Sequence, residues 1–161
     1  MADGDREALA ELYDRHAAAL FRHGLALAGS SADAEDLVQG VFVKLAGFGV
    51  RLLGIRCAGA YMHRMLRTAF LEGVRHRGVA AEVPLDTLDV AAGTGAEEAD
   101  RLALETALGG LPAEQREVIV LHSVQGLTFR EIAGMTGVSM WTIASRYRLG
   151  LERLRGMLGT R

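Results

Sequence analysis

Apolar residues recur every third or fourth position along most of this chain, and no stretch of useful length alternates apolar with polar. That spacing is the stripe of an amphipathic helix and not the period of a strand, so the expected fold class is all-α. The first stripe runs through Leu9, Leu12, Tyr13, Ala17, Leu20 and Phe21, and Gly29-Ser30-Ser31 breaks it. Ser31 is the expected N-cap of a second helix. Asp33, Glu35 and Asp36 fall in its first turn, where the helix dipole favours acids. Leu37, Val38, Val41, Phe42 and Leu45 give that helix its apolar face. Gly47, Gly49 and Gly54 then punctuate a loop or broken helix. A third helix is expected from about Ala58 to Arg77, with Tyr61, Met65, Thr68 and Leu71 or Glu72 near one face and the arginines in a stripe through Arg64, Arg67, Leu71 and Arg75.

Periodicity vanishes from Gly78 to about Ala99, a stretch holding Pro84, Gly93-Thr94-Gly95 and many acids, which reads as a flexible linker. It returns in a short helix, Ala99 to Leu108. Pro112 then suits a first helical position, where its missing N–H would be unpaired anyway. That helix should reach about Val124 and close at Gly126. Thr128-Phe-Arg-Glu131 is a capping box opening a helix that buries Ile132, Ala133 and Met135 and stops at Gly137. Ser139 should cap a last helix, Met140 to about Leu158, with an apolar stripe of Ile143, Tyr147, Leu151, Leu154 and Leu158. The length of 161 residues admits two small bodies. The expected division is a helical domain over 1–79, an acidic linker over 80–98 and a second helical domain over 99–161.

Charge is segregated along the chain. The net charge of −2 argues weakly against a nucleic-acid partner. Yet Arg51, Arg56, Arg64, Arg67, Arg75 and Arg77 face only Glu72 in the third-helix region. Acids dominate from Glu82 to Glu105, and arginines again outnumber acids after Leu111. A mean over the chain therefore hides two possible phosphate-facing surfaces. Cys57 is the only cysteine, which excludes an intramolecular disulfide or a cysteine metal cluster and suits the cytoplasm. No apolar run approaches the roughly 18 residues of a membrane span. Enzyme chemistry is poorly supported. His16, His23, His63, His76 and His122 are far apart, His63 and His76 lack the spacing of a helical zinc pair, and Cys57 has no adjacent base. No catalytic residue, metal or cofactor is expected.

Residues 127–149 have the order of a helix-turn-helix: a short capped helix, a glycine turn, and a longer helix whose N-terminal side chains can enter a major groove. Trp141, Thr142, Ser145 and Arg146 are the candidate base readers. Arg146 is able to donate two hydrogen bonds to guanine. Arg130 and Arg148, with Arg153, are candidate phosphate contacts. A plain helical hairpin with solvated arginines remains the alternative. In the first half, Tyr61, Arg64, Arg67, Arg75 and Arg77 combine rings and cations, a mixture suited to unpaired bases and their phosphates. An ordinary arginine-bearing surface helix remains the alternative there.

The string Asp33-Ala-Glu-Asp-Leu-Val-Gln39-Gly-Val-Phe42 resembles the second conserved region of extracytoplasmic-function (ECF) sigma factors of bacterial RNA polymerase. Leu111-Pro-Ala-Glu-Gln-Arg116, Leu127-Thr-Phe-Arg-Glu-Ile-Ala133, Gly137-Val-Ser139 and Thr142-Ile-Ala-Ser-Arg146 resemble their fourth region. The resemblance implies a region 2-like bundle and a region 4-like helix-turn-helix domain. It implies that Asp33, Glu35, Asp36, Leu37, Gln39 and Phe42 dock on the clamp helices of the polymerase largest subunit. Tyr61, Arg64, Arg67, Arg75 and Arg77 would bind and open the minus-ten element, and the C-terminal domain would read the minus-thirty-five element and touch the polymerase flap. Its partners would be core RNA polymerase, promoter DNA and an anti-sigma factor. Gly40 stands where the family usually has an acid, Ala46 where an aromatic is frequent, and Leu52-Leu53 in place of a polar loop. Ala144 stands where a basic residue is common. Those departures leave two further readings: a sigma-like mimic that binds polymerase or an anti-sigma factor without initiating, and a conventional duplex-binding regulator with residues 1–80 as a dimerisation or sensing module.

Overall fold

The computed structural model describes residues 3–48, 57–77 and 95–159, and these are almost wholly helical. The helices are α1 (Asp3–Ala28), α2 (Ser31–Ala46), α3 (Ala58–Arg77), α4 (Gly95–Gly109), α5 (Ala113–Ile119), α6 (Phe129–Thr136) and α7 (Met140–Gly159). The Gly49, Leu52-Leu53 and Gly54 loop lies outside the described residues, as does the stretch 78–94.

Local chemistry sets the boundaries. Gly29 takes φ 75°, a conformation open to glycine, and its N–H closes α1 on the Leu25 carbonyl at 2.8 Å. Ser30 is then free to extend, and its hydroxyl accepts the Asp33 N–H at 3.4 Å. The cap of α2 is therefore Ser30, one residue before the expected Ser31. Pro112 sits just outside α5 and not in its first position; its carbonyl accepts from the Gln115 and Arg116 amides at 3.0 Å each. The expected α-helix to Val124 is instead α5 followed by a π turn, Val120–Val124. α4 starts at Gly95, so residues 95–98 are helix and not linker. In α7, Ile143, Gly150 and Leu154 are buried, whereas Leu158, expected in the stripe, is exposed. Gly150 lets α7 approach α5, since a Cβ there would lie 2.6 Å from Ile119 Cδ1.

Three apolar clusters organise the packing. One belongs to α1, α2 and α3: Leu20, Leu27, Val38, Val41, Leu45, Met62 and Leu66. A second belongs to α5–α7 and the turn between them: Val118, Leu121, Ile132, Met135 and Ile143. The third joins the halves, setting Leu25, Ala26 and Ala34 against Leu108, Leu111, Ile119, Val120 and Leu154. Each half thus has apolar packing of its own, and the two are also pressed together. Met62, His63 and Leu66 form the buried face of α3, which leaves Tyr61 at the surface.

Candidate nucleic-acid interfaces

The helix-turn-helix is assembled by its caps. The Thr128 hydroxyl accepts the Glu131 N–H at 3.1 Å, and the Glu131 carboxylate accepts the Thr128 N–H at 3.3 Å, completing the expected capping box. Gly137 takes φ 74° and ends α6. Ser139 accepts the Thr142 N–H at 3.3 Å, and its hydroxyl lies 3.0 Å from that of Thr142. α7 therefore begins where the spacing predicts. Trp141, in its first turn, is 88% exposed, the most open large apolar side chain among the described residues. Arg130 is exposed on α6, and Ser145 is half-buried. Arg148 is exposed and pairs with Glu152 at 3.3 Å.

Arg146 departs from the outward pose expected of it. Its Nη2 lies 3.5 Å from Glu114 on α5, its side chain is 21% exposed, and its Nη1 is buried without a hydrogen-bond partner. In this pose its guanidinium lies against α5 and not outward.

The arginine stripe of α3 is divided. Arg75 and Arg77 are exposed near its end. Arg64, although exposed, donates to the Gly134 carbonyl of α6 at 2.5 Å. Arg67 is drawn in further: Nε donates to Glu117 Oε1 at 2.9 Å and Nη1 to the Thr136 carbonyl at 3.4 Å. Tyr61 is exposed, 6.3 Å from the Phe48 ring.

Beneath Arg67 lies a polar centre that sequence reasoning did not single out. His23 Nε2 donates to Glu117 Oε1 at 2.8 Å, and His23 Nδ1 lies 2.9 Å from His63 Nδ1. His23 comes from α1, His63 and Arg67 from α3, and Glu117 from α5. Burial alone would raise the Glu117 pKa. The hydrogen bond from His23, with the charges of His23 and Arg67, outweighs it and holds the carboxyl below its usual value. Burial, followed by the charges of His23 and His16, pushes His63 down to about 3, so His63 stays neutral here. No linear signal marks this group, because His23 and Glu117 are separated by 94 residues.

The pH consequence has a definite sign. A released His63 binds a proton near its ordinary 6.5, and the packed one resists it down to about 3. Stability is therefore full above pH 6.5 and lost as pH falls toward 3; depressed Glu117 acts in the same direction. We expect a loss of about 2 kcal/mol on going from neutral to about pH 5, since one pKa unit is worth about 1.4 kcal/mol. Urea melts of the protein and of His63→Gln at both pH values check this: the variant should show a much flatter pH dependence, and equal slopes would remove His63 as the cause.

On α2, Glu35, Asp36, Gln39 and Gly40 are exposed, Asp33 and Leu37 are half-buried, and Phe42 packs its ring 5.0 Å from Tyr13. Val43, not singled out from sequence, is 72% exposed beside them and gives the acidic surface an apolar edge. Gly40 has open space around the position a Cβ would take. Among the described residues, no group of three or more acids, histidines or cysteines could hold a metal ion, and no helix is long and apolar enough to cross a membrane.

Known proteins match this arrangement across both halves. A family model described as Sigma-70, region 4 matches residues 101–154. The ECF RNA polymerase sigma factor SigE of Mycolicibacterium smegmatis is 34% identical over 98% of this chain, which spans 65% of that relative's length. The RNA polymerase sigma-E factor of Streptomyces antibioticus is 32% identical over 100% of this chain and 90% of its own. Among solved structures, the sigma factor RpoE in complex with the anti-sigma factor NepR, from Bartonella quintana, superposes with TM-score 0.67 at 25% identity. That match covers 88% of this chain and 90% of the other. The region 4 match falls on the helix-turn-helix built above, and the Streptomyces match covers the α1–α3 bundle as well. Identity and coverage of this extent over both halves give the conclusion: this chain belongs to the extracytoplasmic-function family of RNA polymerase sigma factors.

Proposed function

We propose that the chain binds core RNA polymerase and directs it to promoters carrying two separate recognition elements, with the domain over 1–79 serving the minus-ten element and that over 99–161 the minus-thirty-five element. The observation that carries this reading is the α6–α7 unit: a capped pair of helices whose second member presents Trp141 outward at its N-terminus. Trp141, Thr142 and Ser145 then face base edges, Arg146 joins them on leaving Glu114, and Arg130 and Arg148 hold phosphates. Arg75 and Arg77, with Tyr61, Arg64 and Arg67, serve the melted strand. Asp33, Glu35, Asp36, Leu37, Gln39 and Phe42 meet the clamp helices. An anti-sigma protein is a further partner. The chain catalyses no reaction itself in this reading, and it acts where the polymerase acts, in the cytoplasm.

Gel shifts on promoter duplex, with protein alone and with added core polymerase, test the reading. A polymerase-dependent complex supports it. Tight binding by the protein alone supports a conventional regulator instead. Arg146→Ala should weaken the polymerase complex by about 1–3 kcal/mol at one base position. A panel of single-base promoter variants checks that, and an unchanged preference removes Arg146 from the readers.

The mimic reading draws on Gly40, the gap in the acidic face of α2. Nothing packs there, so an acid fits without a clash. Gly40→Glu should tighten binding to core polymerase several-fold, and Gly40→Gln should not. The glutamine control separates charge from the gain of about 0.5–1 kcal/mol in helix propensity that either substitution brings. Equal affinities for all three chains would exclude a role for charge at this position.

A further inference from the structure

The start of α7 holds out apolar surface where a base-reading helix ordinarily holds out hydrogen-bonding groups. Trp141, Ser145, Arg148 and Glu152 follow one another at intervals of four, three and four residues, so they share one side of the helix. The buried Ile143, Gly150 and Leu154 occupy the opposite side. Of the two arginines in the first half of α7, Arg146 lies against Glu114 of α5. Arg148, paired with Glu152, follows Trp141 by about two turns. Thr142 is half-buried, and its hydroxyl lies 3.0 Å from that of Ser139. Ala144 has no polar side-chain group. What remains outermost in the first turn is Trp141, 88% exposed, with Met140 beside it at 45%. The chain itself covers almost none of the indole.

A major groove offers such a surface only one apolar partner. Every base edge there carries donors and acceptors, and the C5-methyl of thymine is the exception. An indole has one N–H donor and no acceptor, so its large apolar body gains little from the other edges. We propose that Trp141, flanked by Met140, recognises thymine through its C5-methyl group, which makes the promoter element under α7 a methyl-read sequence. The proposal rests on the reading of α7 as the helix that enters the minus-thirty-five major groove, and it names the chemical feature selected there.

The test uses the full chain with core polymerase. Duplexes are first selected from a pool randomised over the minus-thirty-five element, and the complexes are then compared by gel shift. The selected element should carry thymine, on either strand, at one or two fixed positions. Replacing that thymine by uracil deletes the methyl and keeps the hydrogen-bonding groups. The complex should weaken about three- to fivefold, the change expected for one methyl-sized group returned to water. Cytosine at the same position should bind better by a similar factor when it carries a 5-methyl group. Trp141→Ala, a change at an exposed side chain, should erase both differences. A selected element without fixed thymine overturns the proposal. Equal binding of thymine and uracil at every fixed position also overturns it, as does 5-methylcytosine no better than cytosine. A Trp141→Ala chain that loses affinity equally on thymine and uracil duplexes overturns it too, and places the indole on the sugar-phosphate wall or on polymerase. Scrambling the element separates the two failures. If scrambling abolishes the complex while uracil has no effect, only the methyl contact is wrong; if scrambling has no effect, the reading of α7 fails first.

Discussion

Arg116→Ala is expected to destabilise the chain by about 3 kcal/mol, the effect of orphaning several buried acceptors at once. The guanidinium is buried, and its donors reach four carbonyls: Ala26 and Leu27 at the end of α1, Gly109 at the end of α4, and Leu111 beyond it. Carbonyls in a last helical turn have no partner within their own helix. One planar cation with a fixed fork of donors answers two such ends together, where the helix dipoles also favour positive charge. Burial opposes that charge and lowers the pKa of Arg116; the converging carbonyls are what hold the guanidinium in place. Urea unfolding followed by circular dichroism checks the value. Arg116→Lys should recover only part of the loss, because an ammonium cannot span four acceptors in that geometry. A change below about 1 kcal/mol for Arg116→Ala would contradict the pin that this residue provides.

Ile132→Ala should weaken the C-terminal half by about 2–4 kcal/mol and leave the N-terminal half largely intact. Ile132 is fully buried among Val118, Leu121, Met135 and Ile143, and these neighbours all belong to the helix-turn-helix side. The α1–α3 cluster contains none of them. A cavity at Ile132 therefore loosens α6 and the start of α7 first, and with them the placement of Trp141 and Arg146. Hydrogen exchange is the suitable readout, since it resolves local opening. Amides of α6 and α7 should lose protection while those of α2 keep it. An equal loss in α2 would mean that the halves open as one body, contrary to the division into 1–79 and 99–161.

Much of this fold was legible because its signals are local. The Thr128–Glu131 box, Gly137 and Ser139 act within a few residues of themselves, and they place α6 and α7 where the spacing predicts. The bounds of α3 follow in the same way from the punctuation around it. The smaller errors are also local: Gly29 could end α1 alone, which moves the cap to Ser30. What escaped was the seam. Glu117 reads as one more charge in an amphipathic helix, yet it is buried because His23 and Arg67 arrive from α1 and α3. Arg146 and Arg67 have the right identity for DNA contacts. Their orientation depends on Glu114, set by how α7 packs on α5, and on Glu117, set by how the halves pack, and not on spacing along the chain.

Reconstituted transcription with purified core polymerase puts the whole account to its most direct trial. On a promoter template drawn from the source genome, addition of this chain should yield a transcript with one defined start, and scrambling either the minus-ten or the minus-thirty-five element should remove it. Stable association with core polymerase but no such transcript from any promoter tested would contradict initiation and leave the chain a polymerase-binding mimic.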